Sequence, residues 1–259
     1  MRRAANPPVT WLQGAGTPLP PTSQALDSES DAPGLLAAGG ELSVVRLREA
    51  YGKGVFPWYS TGQPVMWWTL DPRMVLPVSE FKISHSLRKR LRHFLTTPGC
   101  EIRIDSAFDR VIAQCAGVAR AGQPGTWIVP DMVDAYNAWH RAGDVHSVEV
   151  WIDGELRGGL YAVARGALVC GESMFSLAPD LSKIALAALV ALCHSQGVTL
   201  IDCQQETEHL ASMGARPIPR EAFEAHVHDA QQQPTLRWNT DAVNWATLGL
   251  DVTLIEHPS

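Results

Sequence analysis

Residues 146–204 hold the arrangement that most restricts the fold. Three strand-like segments follow one another, HSVEVWID, ELRGGLYAVAR and GALVCGESMFS, separated only by Asp153-Gly154 and Arg165-Gly166. Two-residue turns containing glycine join antiparallel neighbours, so the three predict a meander. SKIALAALVALCHSQG then reads as a strongly apolar helix ended by Gly197, and VTLIDCQ as a strand returning to the sheet. A strand that returns through a helix makes a right-handed crossover and lies parallel to a neighbour. The expectation is an α+β fold: a mixed, mostly antiparallel sheet flanked by helices.

Upstream, the order is different. SVVRLREAY predicts a first helix at 42–51, with Ser43 near its start and Gly52 and Gly54 as its stop. GVFPWYSTGQPVMWWTLDPRMVLP follows, short aromatic runs punctuated by Pro and Gly. Residues 1–76 are therefore expected to form a small N-terminal domain, its first ~30 residues loose because they are rich in Pro, Ser, Gly and Ala. Residues 77–259 form the second domain, with helices predicted at 84–95, 107–118 and 131–141 and a strand at 101–105. No internal repeat is visible, and the tail after residue 230 carries no clear signal.

With 259 residues the chain can bury a sizeable core. No apolar run approaches the roughly 18–20 residues that cross a bilayer, and no apolar stretch follows the two N-terminal arginines, so a cytoplasmic location is expected. The five cysteines lack CxxC spacing and the nine histidines form no ligand-spaced cluster, so neither a disulfide framework nor a metal is expected. Net charge is −6, yet FKISHSLRKRLRH carries Lys82, Arg88, Lys89, Arg90 and Arg92 with no acid among them. That segment reads either as a solvated surface helix or as a local contact for phosphates.

Three groups of residues could carry chemistry. Glu172 lies in a buried-looking strand, where strict alternation puts Cys170, Glu172 and Met174 on one face. A carboxylate there needs a partner or water. In LIDCQQ, Asp202 and Gln204 share a face of a strand expected in the same sheet, so two carboxylates and an amide converge near its centre. A buried polar network would explain them too; Gly171 beside them, which admits close approach of a ligand, favours a site. The third group is aromatic. Trp67 and Trp68 point to opposite faces of a strand and read as structural, whereas Trp58 in FPWYS and Trp127 in GTWIV sit in loop-like contexts. There an indole can stack on a base, such as the unpaired end of a transfer RNA. No GxSxG, HExxH, P-loop or GxGxxG motif is present, and FSLAPDLSK lacks the Gly-rich turn that would cradle a coenzyme A pyrophosphate. The sheet suggests an acetyltransferase layout; the loop points to a different acyl donor.

Taken in order, GLLAAGGELS, AYGKGVFPWYS, MWWTLDPR, FDRVIAQCA, GTWI, AYNAWHRAGDVHSVEVW, GGLYAVARG, CGESMFS, SKIAL and LIDCQ resemble the leucyl/phenylalanyl-tRNA-protein transferase family over residues 33–224. The resemblance implies a small N-terminal domain followed by a GNAT-like acyltransferase domain that uses aminoacyl-tRNA. It implies transfer of Leu or Phe, less readily Met, from Leu-tRNA or Phe-tRNA to proteins with N-terminal Arg or Lys, creating N-degrons for proteolysis. No cofactor, membrane or DNA is implied. It carries a catalytic role to Asp202, Gln204 and Glu172, stacking on the 3'-terminal adenosine to Trp58 and Trp127, and the aminoacyl side-chain pocket to Leu160, Met174 and Ile201. Arg88, Lys89 and Arg92 are expected to contact tRNA phosphates. The family often has an aromatic residue where this chain has Val169, which leaves the Leu versus Phe preference open. Two alternatives stay open at this point: a GNAT-fold transferase with a cell-envelope peptide or lipid acceptor, and a non-catalytic tRNA-binding module.

Overall fold

The computed structural model describes residues 8–14, 16–117 and 128–250. Its N-terminal part contains β1 (Thr10–Leu12), β2 (Leu35–Gly39), α1 (Val44–Tyr51), β3 (Phe56–Pro57) and β4 (Met66–Trp68). The four strands form one small sheet in the order β1-β2-β4-β3. The Ser43 side chain accepts from the Arg46 backbone N–H and so caps α1, as its sequence predicts.

The early segment departs from the expected loose chain. β1 pairs in parallel with β2, Thr10 opposite Ala37, and Leu12 and Leu19 are buried. Arg46 and Glu49 on α1 hold the stretch between them: the Arg46 guanidinium donates to the Thr17 carbonyl, and Glu49 accepts from the Leu19 N–H at 2.9 Å. Composition suggested a loose chain; residues 1–7 lie outside the described residues, and beyond them two apolar side chains and two charged anchors, 29 and 30 positions later, hold the stretch.

The rest of the chain supplies β5 (Arg73–Pro77), α2 (His85–Thr96), β6 (Cys100–Ile104), α3 (Phe108–Gly117), α4 (Pro130–Arg141), β7 (Val145–Ile152), β8 (Glu155–Arg165) and β9 (Leu168–Ser176). It continues with α5 (Leu181–Ser195), β10 (Leu200–Gln204), α6 (Glu208–Ser212), β11 (Arg216–Ile218) and α7 (Arg220–Gln231). The seven strands run in the order β11-β5-β10-β9-β8-β7-β6. Every neighbouring pair is antiparallel except β9 and β10, which α5 connects as a crossover. This is the mixed, mostly antiparallel sheet that the sequence predicts. β5 lies inside the sheet although it precedes residue 77, where the second domain was expected to begin.

The first turn of the meander uses the predicted residues; the second is Gly166-Ala167, one position later than the expected Arg165-Gly166, because Arg165 still pairs with Leu168 at the end of the ladder. Asp153 and Gly154 adopt φ of 52° and 76°, the positive values a tight hairpin turn requires. Gly166, at φ 60°, also lies so close to α7 that a Cβ would meet the Ala230 carbonyl at 2.6 Å.

Each face of the large sheet carries its own core. On one face α1, α3, α4 and α7 pack with the small sheet around Tyr51, Trp67, Tyr136, Trp139 and Phe223. On the other, α2 and α5 bury Leu87, Leu91, Leu186 and Leu189. Helix α5 is apolar on all sides because it is covered on all sides. The tail whose sequence is uninformative supplies the outer cover: Leu236, Ala242 and Leu250 are buried there, and the Ser195 hydroxyl donates to the Ala242 carbonyl at 2.8 Å. Among the described residues no helix is long and apolar enough to cross a membrane.

Candidate active site

The site forms where the one parallel pair comes apart. β9 and β10 are in register at Val169 with Ile201 and at Cys170 with Asp202, and pairing ends there. Two bulges lie just beyond. On β9, Gly171 faces Ala162 and Ser173 faces Tyr161, so Glu172 has no partner across the ladder. On β10, Asp202 faces Val75 and Gln204 faces Met74, which leaves Cys203 extra and Gln204 at φ 54°. Bulges re-aim side chains. Here they turn Glu172 and Gln204 toward each other.

The first bulge corrects the alternation expected from sequence. Cys170 is buried in the core on the α1 and α7 face, while Met174 packs into the core on the α5 face. Cys170, Glu172 and Met174 therefore do not share one face, because the extra residue shifts the parity of the strand. Glu172 stays on the α1 side, its carboxyl 3.4 Å from the Tyr136 hydroxyl.

A cavity of about 360 Å³ occupies the opening. Leu160, Met174 and Ile201 line its apolar end together with Leu186 and Leu189 of α5. Glu172, Ser173, Gln204, Thr207 and His209 line its polar side, and Phe56 and Trp58 reach it from the small sheet. Trp58 is half-buried against Trp68, ring centroids 5.5 Å apart. Trp67 and Trp68 are buried and spend their indole N–H groups on the Gly39 and Trp58 carbonyls, as befits structural residues. Trp127 lies outside the described residues.

The polar side is a connected network. Asp202 is buried and receives a two-pronged contact from Arg73, Nε and Nη2 each donating at 2.7 Å. The same carboxylate accepts from the Gln204 backbone N–H at 3.0 Å and from its Nε2 at 3.4 Å. That Nε2 also lies 3.4 Å from Glu172 Oε1, which leaves the amide carbonyl of Gln204 free of these contacts. Behind Glu172, the hydroxyls of Tyr51 and Tyr136 are 2.6 Å apart.

Burial raises Glu172 from the usual carboxylate range to about 8; the Asp202 charge adds to this, and the Tyr51 and Tyr136 hydroxyls and Arg73 pull against it. The same desolvation, with Glu172 nearby, raises both tyrosines well above their ordinary value. Burial also pushes up the Cys203 thiol and, with the Asp202 and Glu172 charges, the Cys170 thiol. Neither is a ready nucleophile. Among the described residues no group of three His, Cys, Asp or Glu side chains is placed to hold a metal ion.

The basic helix is only partly free. Ser84 caps α2. Arg88 donates to the Leu248 and Gly249 carbonyls, both at 3.2 Å, and Arg90 pairs with Asp180 at 2.7 Å. Sequence showed no acid nearby because these partners lie far along the chain. Lys89 and Arg92 remain exposed.

Arg73, Tyr51, Tyr136 and Phe56 were not singled out by sequence reasoning. Arg73 left one signal, a charged residue opening the otherwise apolar strand RMVLP. The tyrosines sit on the buried faces of amphipathic helices and are indistinguishable there from ordinary core residues.

A mixed sheet opened at its one parallel pair, with an apolar cavity running up to a carboxyl and an amide, has room for an apolar group beside polar ones, as a transferase of acyl groups requires. Sequence comparison narrows the class. A family model described as leucyl/phenylalanyl-tRNA protein transferase matches residues 75–228, and one for its N-terminal domain matches residues 40–71. A protein from Methylibium petroleiphilum named leucyl/phenylalanyl-tRNA--protein transferase is 57% identical over 243 residues, covering 93% of this chain and 92% of its own. One of the same name from Leptothrix cholodnii is 57% identical over 244 residues, covering 93% and 95%. Among solved structures, a GCN5-related N-acetyltransferase from Kribbella flavida is similar at 12% identity and a TM-score of 0.33, over 63% of this chain and 56% of its own. The chain belongs to the leucyl/phenylalanyl-tRNA-protein transferase family and is an aminoacyltransferase that takes aminoacyl-tRNA as donor and protein as acceptor.

Proposed function

We propose that the protein moves Leu or Phe, and less readily Met, from Leu-tRNA or Phe-tRNA to proteins that begin with Arg or Lys, creating N-degrons in the cytoplasm. The observation that carries this reading is the two-sided cavity: Leu160, Met174 and Ile201 offer an uncharged side-chain pocket, and Glu172 and Gln204 line its polar side. In this reading Trp58 stacks on the 3'-terminal adenine, with Trp127 as its expected partner. Lys89 and Arg92 contact acceptor-stem phosphates, while Arg88 serves the tail. The two units divide between Trp68 and Arg73, consistent with the two family matches.

The chemistry asks little, because an aminoacyl ester is already activated and an amine is a good nucleophile. The enzyme must hold a neutral amine in line with the ester carbonyl and stabilise the oxyanion. An α-amine of pKa about 8 is partly neutral near pH 7, so a weak acceptor suffices. The amide carbonyl of Gln204, held through Asp202, accepts a hydrogen bond from the amine and points its lone pair at the ester. The C–N bond forms, the bond to the ribose oxygen breaks, and the proton lost by nitrogen ends on that oxygen. Glu172 ionises as a cationic group binds beside it, either the α-ammonium of the donor or the acceptor's basic end, because an adjacent positive charge draws its raised pKa back down. Single-turnover rates of Gln204→Ala and Gln204→Glu test the central role. A fall of about a hundredfold or more in Gln204→Ala is expected; wild-type rates in both would remove Gln204 from the mechanism.

A further inference from the structure

The Arg73 guanidinium is among the most enclosed charges in the molecule, 1% exposed, and its polar contacts run in fixed directions. Nε and Nη2 grip both oxygens of Asp202, and Nη1 donates to the Gly54 carbonyl at 3.1 Å. Phe56 and Phe223 lie against it with ring centroids at 4.7 Å and 4.5 Å. A planar fork held by two rings and three acceptors has little freedom to rotate. The clamp joins four separate parts of the chain: β5, which carries Arg73; the segment 54–58 that ends in Trp58; β10 with Asp202; and α7 with Phe223.

We propose that Arg73 is a positioning residue for aminoacyl transfer: by fixing both oxygens of Asp202 it sets the orientation of the Gln204 amide against the ester held beside Phe56 and Trp58. The proposal rests on the role given above to Gln204. Asp202 holds Gln204 through its backbone N–H and its Nε2, and that backbone sits at a bulge with positive φ, so no regular ladder fixes it. Orientation of the amide thus depends on the carboxylate, and orientation of the carboxylate on Arg73. Arg73 lines no part of the cavity.

Lysine keeps the charge but replaces the fork by a single ammonium, so Arg73→Lys loosens the clamp without leaving Asp202 unpaired. Phe223→Leu removes one ring that lies against the guanidinium and does not line the cavity, and it keeps every polar contact. A misplacement of about 1 Å can cost about 10²-fold in rate. In the full chain, Arg73→Lys is expected to lower the single-turnover rate with Phe-tRNA and an Arg-initiated peptide about a hundredfold. Phe223→Leu is expected to lower it about tenfold. Affinity for Phe-tRNA should change by less than about threefold in both, because the cavity is intact. A merely structural role would instead lower the folded fraction and the affinity together and leave the rate per folded molecule unchanged. Wild-type rates in folded Arg73→Lys and Phe223→Leu overturn the proposal; if Arg73→Lys does not fold, the Phe223→Leu rate alone decides. Gln204→Ala in parallel separates the two claims. A slow Gln204→Ala beside fast clamp variants sinks the positioning role only, whereas a fast Gln204→Ala sinks the Gln204 reading and the clamp's purpose with it.

Discussion

Glu172 enters the site as a carboxyl whose neutral form is favoured by burial, next to a second carboxylate already paired with Arg73. Its folded value of about 8 lies above its ordinary value of 4.5. Between those values the folded chain keeps a proton that the unfolded chain has released, so this group opposes folding more and more as pH rises to about 8, and by a constant amount above it. Glu172→Gln removes that term. Its melting temperature should exceed the wild type's by several degrees at pH 9, with the difference shrinking toward pH 5; a difference that does not depend on pH would contradict the assignment. Glu172 and Gln204 were legible in sequence because polar side chains stand out in apolar strands. Arg73 was not, because its partner Asp202 lies 129 residues away and no local pattern encodes the pair.

At the scale of elements, the two bulges decide what the site can do. Alternation along LVCGESMFS predicts one shared face for Cys170, Glu172 and Met174, and the extra residue on β9 breaks it. Strand periodicity cannot show such a shift, because a bulge is set by the partner strand as well. Gly171 beside it lines the cavity, and a Cβ there would meet only ordinary contacts at 3.7 Å and 3.8 Å. Gly171→Ala should therefore leave thermal stability within a few degrees of wild type while lowering kcat/KM for Phe-tRNA about tenfold, since the new methyl group occupies substrate space. Unaltered kinetics would mean the ligand does not approach that backbone. Helix α2 makes a separate prediction. Neutralising Lys89 and Arg92 should reduce the slope of log affinity for aminoacyl-tRNA against log salt by about two, roughly one per lost phosphate contact. Arg88→Ala should leave the slope alone and lower the melting temperature, because Arg88 holds the tail carbonyls. The extent of α2 and its Ser84 cap were readable from sequence; which of its charges are free was not, since Asp180 and the tail carbonyls sit far along the chain.

At the scale of the whole molecule, two sheets and two cores bring three regions distant in sequence to one opening. The small sheet contributes Phe56 and Trp58, the meander contributes Glu172 and Met174, and β10 contributes Gln204. The meander β7-β8-β9 and the parallel return of β10 were readable from residues 146–204, since hairpin turns and an apolar crossover helix fix neighbours locally; the places of β5, β6 and β11 were not. The edge strand β1 and the cover that the tail lays over α5 were not, because each depends on a few apolar contacts made across long stretches of chain. The central claim is that this opening joins an aminoacyl ester to a basic protein N-terminus. The most direct test incubates the purified protein with Phe-tRNA or Leu-tRNA and two otherwise identical peptides, one beginning with Arg and one with Ala, and reads the mass added. One Phe or Leu residue on the Arg peptide alone is the predicted result; no addition to either peptide while the protein still binds the tRNA, or equal addition to both, would contradict it.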